Sequence, residues 1–168
     1  MPHNYRIRPA RTSDIPAIQE MRAPLVDNNV LLQHQLVSLY ERVQEFVVAE
    51  GSDGRVIAAG ALHVMWGDLA EVRSLVVDSS ARGLGLGKAI VEALIERAFS
   101  LGIGRVFCLT FEVEFFARCG FEVISDVPVD EETFAQMVES SDDGIAEFLD
   151  LARVKQNTLG NTRMLRLL

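Results

Sequence analysis

Hydrophobic and polar positions change period along this chain, and the changes divide it into elements. Tyr5 to Arg8 alternates and predicts a short first strand. Ile15, Ile18 and Met21 then recur at helical spacing, with Thr12 or Ser13 as the cap and Asp14 set against the positive end of the helix dipole. A second helix is predicted from about Gln33 to Val43, where Leu36, Leu39, Tyr40 and Val43 share a face. From Glu45 the period falls to two. EFVVAE, VIAAGALHVMW and AEVRSLVVD read as three strands joined by the turns GSDGR and Gly67-Asp68, an antiparallel meander. Helical spacing returns at Ile90, Val91, Leu94, Ile95, Ala98 and Phe99, and Gly102 stops that helix. RVFCLT predicts a buried strand and EVEFFARCGF a short helix ended by Gly120. Helices around 131–140 and in AEFLDLARV follow, and TRMLRLL closes the chain as a strand.

The join between the meander and the following helix is unusual. VVDSSARGLGLGKAIVEAL, residues 76–94, sets Gly83, Gly85 and Gly87 between Arg82 and Lys88. Glycine permits a tight turn and close approach of a ligand to the peptide groups. The first turn of a helix offers N–H groups without intrahelical partners and the positive end of a dipole, which together suit a phosphate. A flexible turn is the simpler alternative. A Walker loop is excluded because Ala89, not Ser or Thr, follows Lys88. A dinucleotide fold is disfavoured because the loop follows an antiparallel meander rather than the first strand of a parallel sheet.

Element order and the loop together resemble the GNAT N-acetyltransferase superfamily, whose pyrophosphate loop has the pattern Gln/Arg-x-x-Gly-x-Gly/Ala, matched by Arg82, Gly85 and Gly87. The resemblance implies an α+β, sandwich-like GNAT acyl-CoA N-acyltransferase fold, with a mixed central sheet flanked by helices, as a single domain over 1–168. It implies acetyl-CoA as co-substrate, with no metal. Leu75, Val76 and Val77 would supply the strand edge beside the pantetheine arm, and Arg82, Gly83, Leu84, Gly85, Leu86, Gly87 and Lys88 the phosphate cradle.

VLLQHQLVSLYERVQEF (30–46), RVFCLTFEVEFFARCGF (105–121) and VKQNTLGNTRMLRLL (154–168) resemble the acetyltransferase domain of amino-acid N-acetyltransferases, the N-acetylglutamate synthases, in their short stand-alone actinobacterial form. That likeness implies acetylation of the α-amino group of L-glutamate or L-glutamine, the first step of arginine biosynthesis. Acetylation of another primary amine, or a non-catalytic acetyl-CoA-sensing module, are the alternatives.

An amino-acid acceptor needs a cation for its α-carboxylate and a base for its amine, which is mostly protonated at neutral pH. Glu71 and Arg73, two apart on one strand, face the same side. Arg73 is the first candidate for the carboxylate, its alternative being a pair with Glu71 or Asp78; Arg163, a basic position in the family's C-terminal pattern, is the second. Glu71 is the candidate base, directly or through water, with a plain surface glutamate as the alternative. Gln33 follows Leu31 and Leu32 where longer synthases carry basic residues, and its neutral amide suits glutamine at least as well as glutamate. No general acid is assigned: neither Tyr5 nor Tyr40 falls in the EVEFFARCGF helix, and Cys119, the remaining candidate, reads as a small packed residue beside Gly120 before it reads as an acid. His63 faces the same way as Ala61 and Met65 and reads as packed or hydrogen-bonded before it reads as catalytic.

Composition narrows the partners. Sixteen Lys and Arg against 24 Asp and Glu give a net charge of −8, which argues against nucleic acid or an anionic membrane. Two cysteines, no apolar run near about 20 residues and no signal-peptide core in MPHNYRIRPA suggest a cytoplasmic protein. A homodimer is compatible with the sequence.

Overall fold

The computed structural model describes residues 4–28, 30–31, 34–149 and 161–168. Among these, β1 (Tyr5–Pro9), α1 (Ile15–Asp27) and α2 (Leu36–Glu41) precede the meander β2 (Phe46–Gly51), β3 (Val56–Trp66) and β4 (Leu69–Val77). Then come α3 (Leu86–Ser100), β5 (Arg105–Thr110), α4 (Val113–Arg118), β6 (Glu122–Val123), α5 (Glu131–Met137), α6 (Asp143–Phe148) and β7 (Thr162–Leu167). They form one mixed sheet in the order β1-β2-β3-β4-β5-β7-β6, with β4 and β5 as its parallel pair. No helix among the described residues is long and apolar enough to cross a membrane.

Two local features position the site. The β4–β5 ladder pairs Leu69 with Arg105, Ala70 with Val106 and Glu71 with Phe107, and then the strands part. Beyond Glu71, β4 pairs with β3 alone among the described residues, which leave its other backbone edge open. On the β3 side the register slips by one residue between Ala59/Val76 and Ala61/Arg73, so that Ser74 and Leu75 oppose Gly60. Ser74 takes φ +54°, the left-handed region, and this bulge interrupts the alternation of β4 just past the fork.

The two sheet faces are covered differently. α3 and α4 lie on one, burying Leu62, Ala70, Val72, Ile90, Val91 and Leu94 in a continuous apolar layer. Gly60 allows the close approach: a Cβ there would stand 2.6 Å from Ile90 Cγ2. The opposite face holds two apolar clusters, one under α1 and α2 around Ile15, Ile18 and Val76, the other under α5 and α6 around Phe107 and Phe148. Charged side chains fill the gap between them.

Several sequence expectations change. Neither Thr12 nor Ser13 caps α1; residues 12–14 form a 3-10 turn, and Asp14 accepts from Arg11 N–H at 2.7 Å and pairs with Arg8. The second helix is shorter than 33–43, and Tyr40 is exposed. Phe99 points to solvent at 74% exposure, on the outer side of a last turn whose buried side is held by Ile95 and Ala98.

Candidate active site

The charged gap opens as a small cleft at the β4–β5 fork, lined by Glu71, Arg73 and Ser74 of β4, Arg22 of α1, Leu109 of β5 and Glu147 of α6, among others. Glu71 and Arg73 project to the same side, as alternation requires. Arg73 Nη2 and Nε donate to Glu71 Oε2 at 2.7 and 3.1 Å, and Nη1 and Nη2 clasp Asp142 Oδ1 and Oδ2 at 2.9 Å each. Four of the five guanidinium hydrogens are thus committed to two protein carboxylates. Burial works against the Arg73 charge, but Glu71 and Asp142 more than offset it and hold its pKa above the ordinary value.

Glu71 is 5% exposed, and Oε1 accepts no hydrogen bond from the described residues. Burial raises its pKa against the pull of Arg73, with Asp142 adding to the rise. A carboxylate with one oxygen anchored, one open to a cleft and a raised proton affinity is suited to accept a proton at neutral pH.

Arg22 was not singled out by sequence, yet it is the most buried cation of the cleft, at 3% exposure. Its Nε donates to Ser74 Oγ at 3.2 Å, across 52 residues of chain. Burial, with Arg42 and Arg73 adding repulsion, lowers its pKa to about 10, still far above neutrality. A signal was available: Ile15, Ile18 and Arg22 share the buried stripe of α1, so a cation occupies an apolar position. His34 also lines the cleft, and burial followed by the charges of Arg22, Arg42 and Arg73 lowers it to about 4, so it is neutral at pH 7.

Other candidates fall elsewhere. Arg163, opposite Leu109 on β7, donates to the Phe148 carbonyl at 3.3 Å and does not line the cleft. Gln33 lies outside the described residues. His63 pairs across the ladder with Glu71, and its Nδ1 lies 2.6 Å from Glu45 Oε1. Cys119 is buried among apolar side chains, and burial raises its thiol pKa.

Past the fork, Leu75 and Val77 pack toward α3 while Val76 joins the opposite cluster. The loop then turns through Gly83 (φ +83°) and Gly85 (φ +73°), the latter being the N-cap residue just before α3. No atom lies within 4 Å of a Cβ built at either, so conformation demands glycine and space remains for a ligand. Arg82, Leu84 and Lys88 are exposed around the helix start, whereas Leu86 is buried beneath it. Gly87 faces Phe115, where a Cβ would come within 3.1 Å of the ring. The described residues contain no group of three or more His, Cys, Asp or Glu able to hold a metal ion.

Residues 17–121 match the model of the Acetyltransferase (GNAT) family. The chain is 53% identical to the amino-acid acetyltransferase of Mycobacterium tuberculosis over 96% of its length and 94% of that protein. It is 33% identical to the amino-acid acetyltransferase of Pasteurella multocida over 76% of its length, but spans only 30% of that longer protein. Among solved structures it superposes on Rv2747 of M. tuberculosis, in complex with CoA and NLQ, with a TM-score of 0.93 at 52% identity, covering 97% of this chain and 99% of that one. N-acetylglutamate synthase from Neisseria gonorrhoeae, complexed with coenzyme A and N-acetyl-glutamate, gives 0.79 at 26% identity, covering 98% of this chain and 35% of that one. The chain belongs to the GNAT acetyltransferase family.

Proposed function

We propose that this protein transfers the acetyl group of acetyl-CoA to the α-amino group of an amino acid, L-glutamate or L-glutamine, as in the first step of arginine biosynthesis. The observation that carries the reading is one cleft at the β4–β5 fork holding both an open carboxylate oxygen, on Glu71, and a buried cation, Arg22. The similarity to proteins named amino-acid acetyltransferase supports it.

The glycine loop fits a pyrophosphate: it is open where side chains would stand, it begins a 15-residue helix, and Arg82 and Lys88 flank it. When bound there, acetyl-CoA supplies an activated thioester. The free edge of β4 from Val72 to Val77 is the place for the pantetheine arm, and its peptide N–H groups are suited to stabilise negative charge on the carbonyl oxygen. Glu71 accepts the amine proton, directly or through water. The α-carboxylate goes to Arg22 rather than Arg73, since the Arg73 guanidinium is committed to Glu71 and Asp142. The remaining wall brings a neutral His34 and the Glu147 carboxylate, the latter holding Asn161 Nδ2 at 2.8 Å. Among the described residues this wall adds no further full positive charge beside Arg22 and Arg73, and the reading takes glutamine alongside glutamate as acceptor.

The test is release of CoA thiol across the proteinogenic amino acids, for the wild type and Arg22→Met. Glutamate and glutamine are expected to be acetylated, with kcat/KM for both falling at least tenfold, about 1.4 kcal/mol, in the variant. Release with neither amino acid would overturn the reading in favour of another amine or a sensing module.

A further inference from the structure

The cleft contains one arrangement that acid–base roles for Glu71 and Arg22 leave unexplained. Asp142, at 6% exposure, stands at the N-cap of α6 and receives the Ile145 N–H at 2.8 Å. An acid at a helix N-terminus needs no more than that. Yet the same carboxylate also clasps Arg73 with two 2.9 Å hydrogen bonds and pairs with Arg42 Nη2 at 3.0 Å. The helix backbone is fitted to Arg73 as well. A Cβ on Gly144 would lie 2.6 Å from Arg73 Nη2 and 2.8 Å from Cζ, so only glycine lets α6 rest against the guanidinium. The helix is itself fastened to the sheet, with the Phe148 ring centroid 4.3 Å from that of Phe107.

We propose that Asp142 and Gly144 are positioning residues for the Glu71 base: they fix the Arg73 guanidinium so that it anchors Glu71 Oε2 and leaves Oε1 to the acceptor amine. Without the clasp, Arg73 would be free to close on both Glu71 oxygens as a bidentate pair. The base would then be covered and weakened together. Asp142 prevents this by geometry, holding the outer edge of the guanidinium, and by charge, dividing the attraction of Arg73 between two anions. Its pKa fits that burden: burial raises it, but the Arg73 hydrogen bonds and charge carry it well below the usual carboxylate range.

The groups that face Glu71 set the sign of the test. They are Arg73 on its own strand, His63 opposite on β3, Arg22 on α1, and Asp142 and Glu147 from the α6 region, with Cys108 of β5 near by on the other side of the sheet. Arg42 acts through Asp142. Of the two acids, Asp142 alone neutralises Arg73 directly. Its loss removes repulsion from Glu71 and concentrates Arg73 on it, so Glu71 should release its proton more readily and accept one less readily.

The proposal rests on Glu71 as base, and the experiment separates the two. In Asp142→Asn, whose amide oxygen can still receive the Ile145 N–H, kcat should fall about tenfold with KM for acetyl-CoA within about twofold. The acid limb of the pH–kcat profile should move to lower pH. Gly144→Ala keeps the carboxylate and the cap but displaces the guanidinium, and should lower kcat likewise. Asp130→Asn, altering the comparable cap of α5 where Asp130 accepts from Thr133 N–H at 2.7 Å, should change neither kcat nor the limb. An unmoved limb in Asp142→Asn, or wild-type kcat in Gly144→Ala, would overturn the positioning role. Persistence of the wild-type acid limb in Glu71→Gln would instead remove Glu71 as the base.

Discussion

β4 carries two different kinds of protein on its two faces. Toward α3 it presents Ala70, Val72, Leu75 and Val77, which pack on Ile90, Val91 and Leu94 in an apolar layer. Toward the other face, Glu71, Arg73 and Ser74 stand between two apolar clusters and join a buried ionic network with Arg22, Asp142 and Arg42. Both faces break step at the same bulge: the α3 face skips from Val72 to Leu75, while the other carries Arg73 and Ser74 in succession, Ser74 at positive φ. Apolar burial is favourable in itself, whereas buried ions roughly break even at best against desolvation. The α3 face therefore stabilises the fold, and the ionic face is maintained by it and shaped for chemistry.

The largest effects should separate the faces. Leu94, fully buried, should cost about 3 kcal/mol of stability on change to alanine, with kcat per folded molecule unchanged. Glu71→Gln should do the reverse, lowering turnover about 10²-fold with little change in stability, since Arg73 keeps Asp142 as its partner. Denaturant unfolding and steady-state kinetics on both variants provide the comparison. If Glu71→Gln destabilises as much as Leu94→Ala, the ionic face is structural and the division fails.

The next effect is pH-dependent and belongs to the ionic face alone. His34 is held neutral down to about pH 4 in the fold, from an ordinary value near 6.5. The unfolded chain takes up a proton between these values while the folded one does not, so stability is full above about pH 6.5 and declines as pH falls toward 4. The shift corresponds to about 2 kcal/mol lost between pH 7 and pH 5. Glu71, with its raised pKa, acts in the opposite sense, so the difference between wild type and His34→Gln isolates the histidine. Equal pH dependence in the two proteins would mean that His34 titrates normally.

The apolar face was legible in the sequence because its information is local. Ile90, Val91, Leu94, Ile95 and Ala98 mark one side of a helix by spacing alone, and all are buried. Phe99 lies at the margin of that stripe, where spacing alone does not separate a buried from an exposed position. Glu71 and Arg73 were found together because two residues on a strand share a side, and the loop because glycines recur at fixed spacing. The rest of the ionic face depends on distant chain segments. Arg22 meets Ser74 across 52 residues, and Asp142 meets Arg73 across 69. Both left a weak trace that only the fold makes specific: a cation on an apolar stripe, and an acid three residues before Ile145 at a helix start.

A smaller effect is expected where the apolar face reaches the ligand, at the start of α3. Gly85→Asp should weaken acetyl-CoA binding at least tenfold, about 1.4 kcal/mol, by placing an anion in open space beside the helix N-terminus. Gly85→Ala shares the left-handed strain without the charge, so calorimetry on both separates backbone from electrostatics. Equal affinities would make the loop a turn only.

The smallest effect tests whether the ionic face is maintained at a cost to the backbone. Ser74 occupies φ +54°, where a residue with a Cβ is disfavoured by about 1–2 kcal/mol. Its hydroxyl also receives the Arg22 Nε hydrogen bond, worth about 1 kcal/mol or somewhat more with a charged donor. Ser74→Ala loses the bond and keeps the strain, so it should be less stable than wild type by about 1 kcal/mol. Ser74→Gly loses the same bond but relieves the strain, so it should return close to wild-type stability. Both variants should raise KM for the amino acid, because Arg22 loses one of the contacts that orient it. The stability gap between the two, read by denaturant unfolding, is the conformational cost of the bulge. If alanine and glycine prove equally stable, the positive φ costs nothing, and the contrast between the faces of β4 reduces to charge alone.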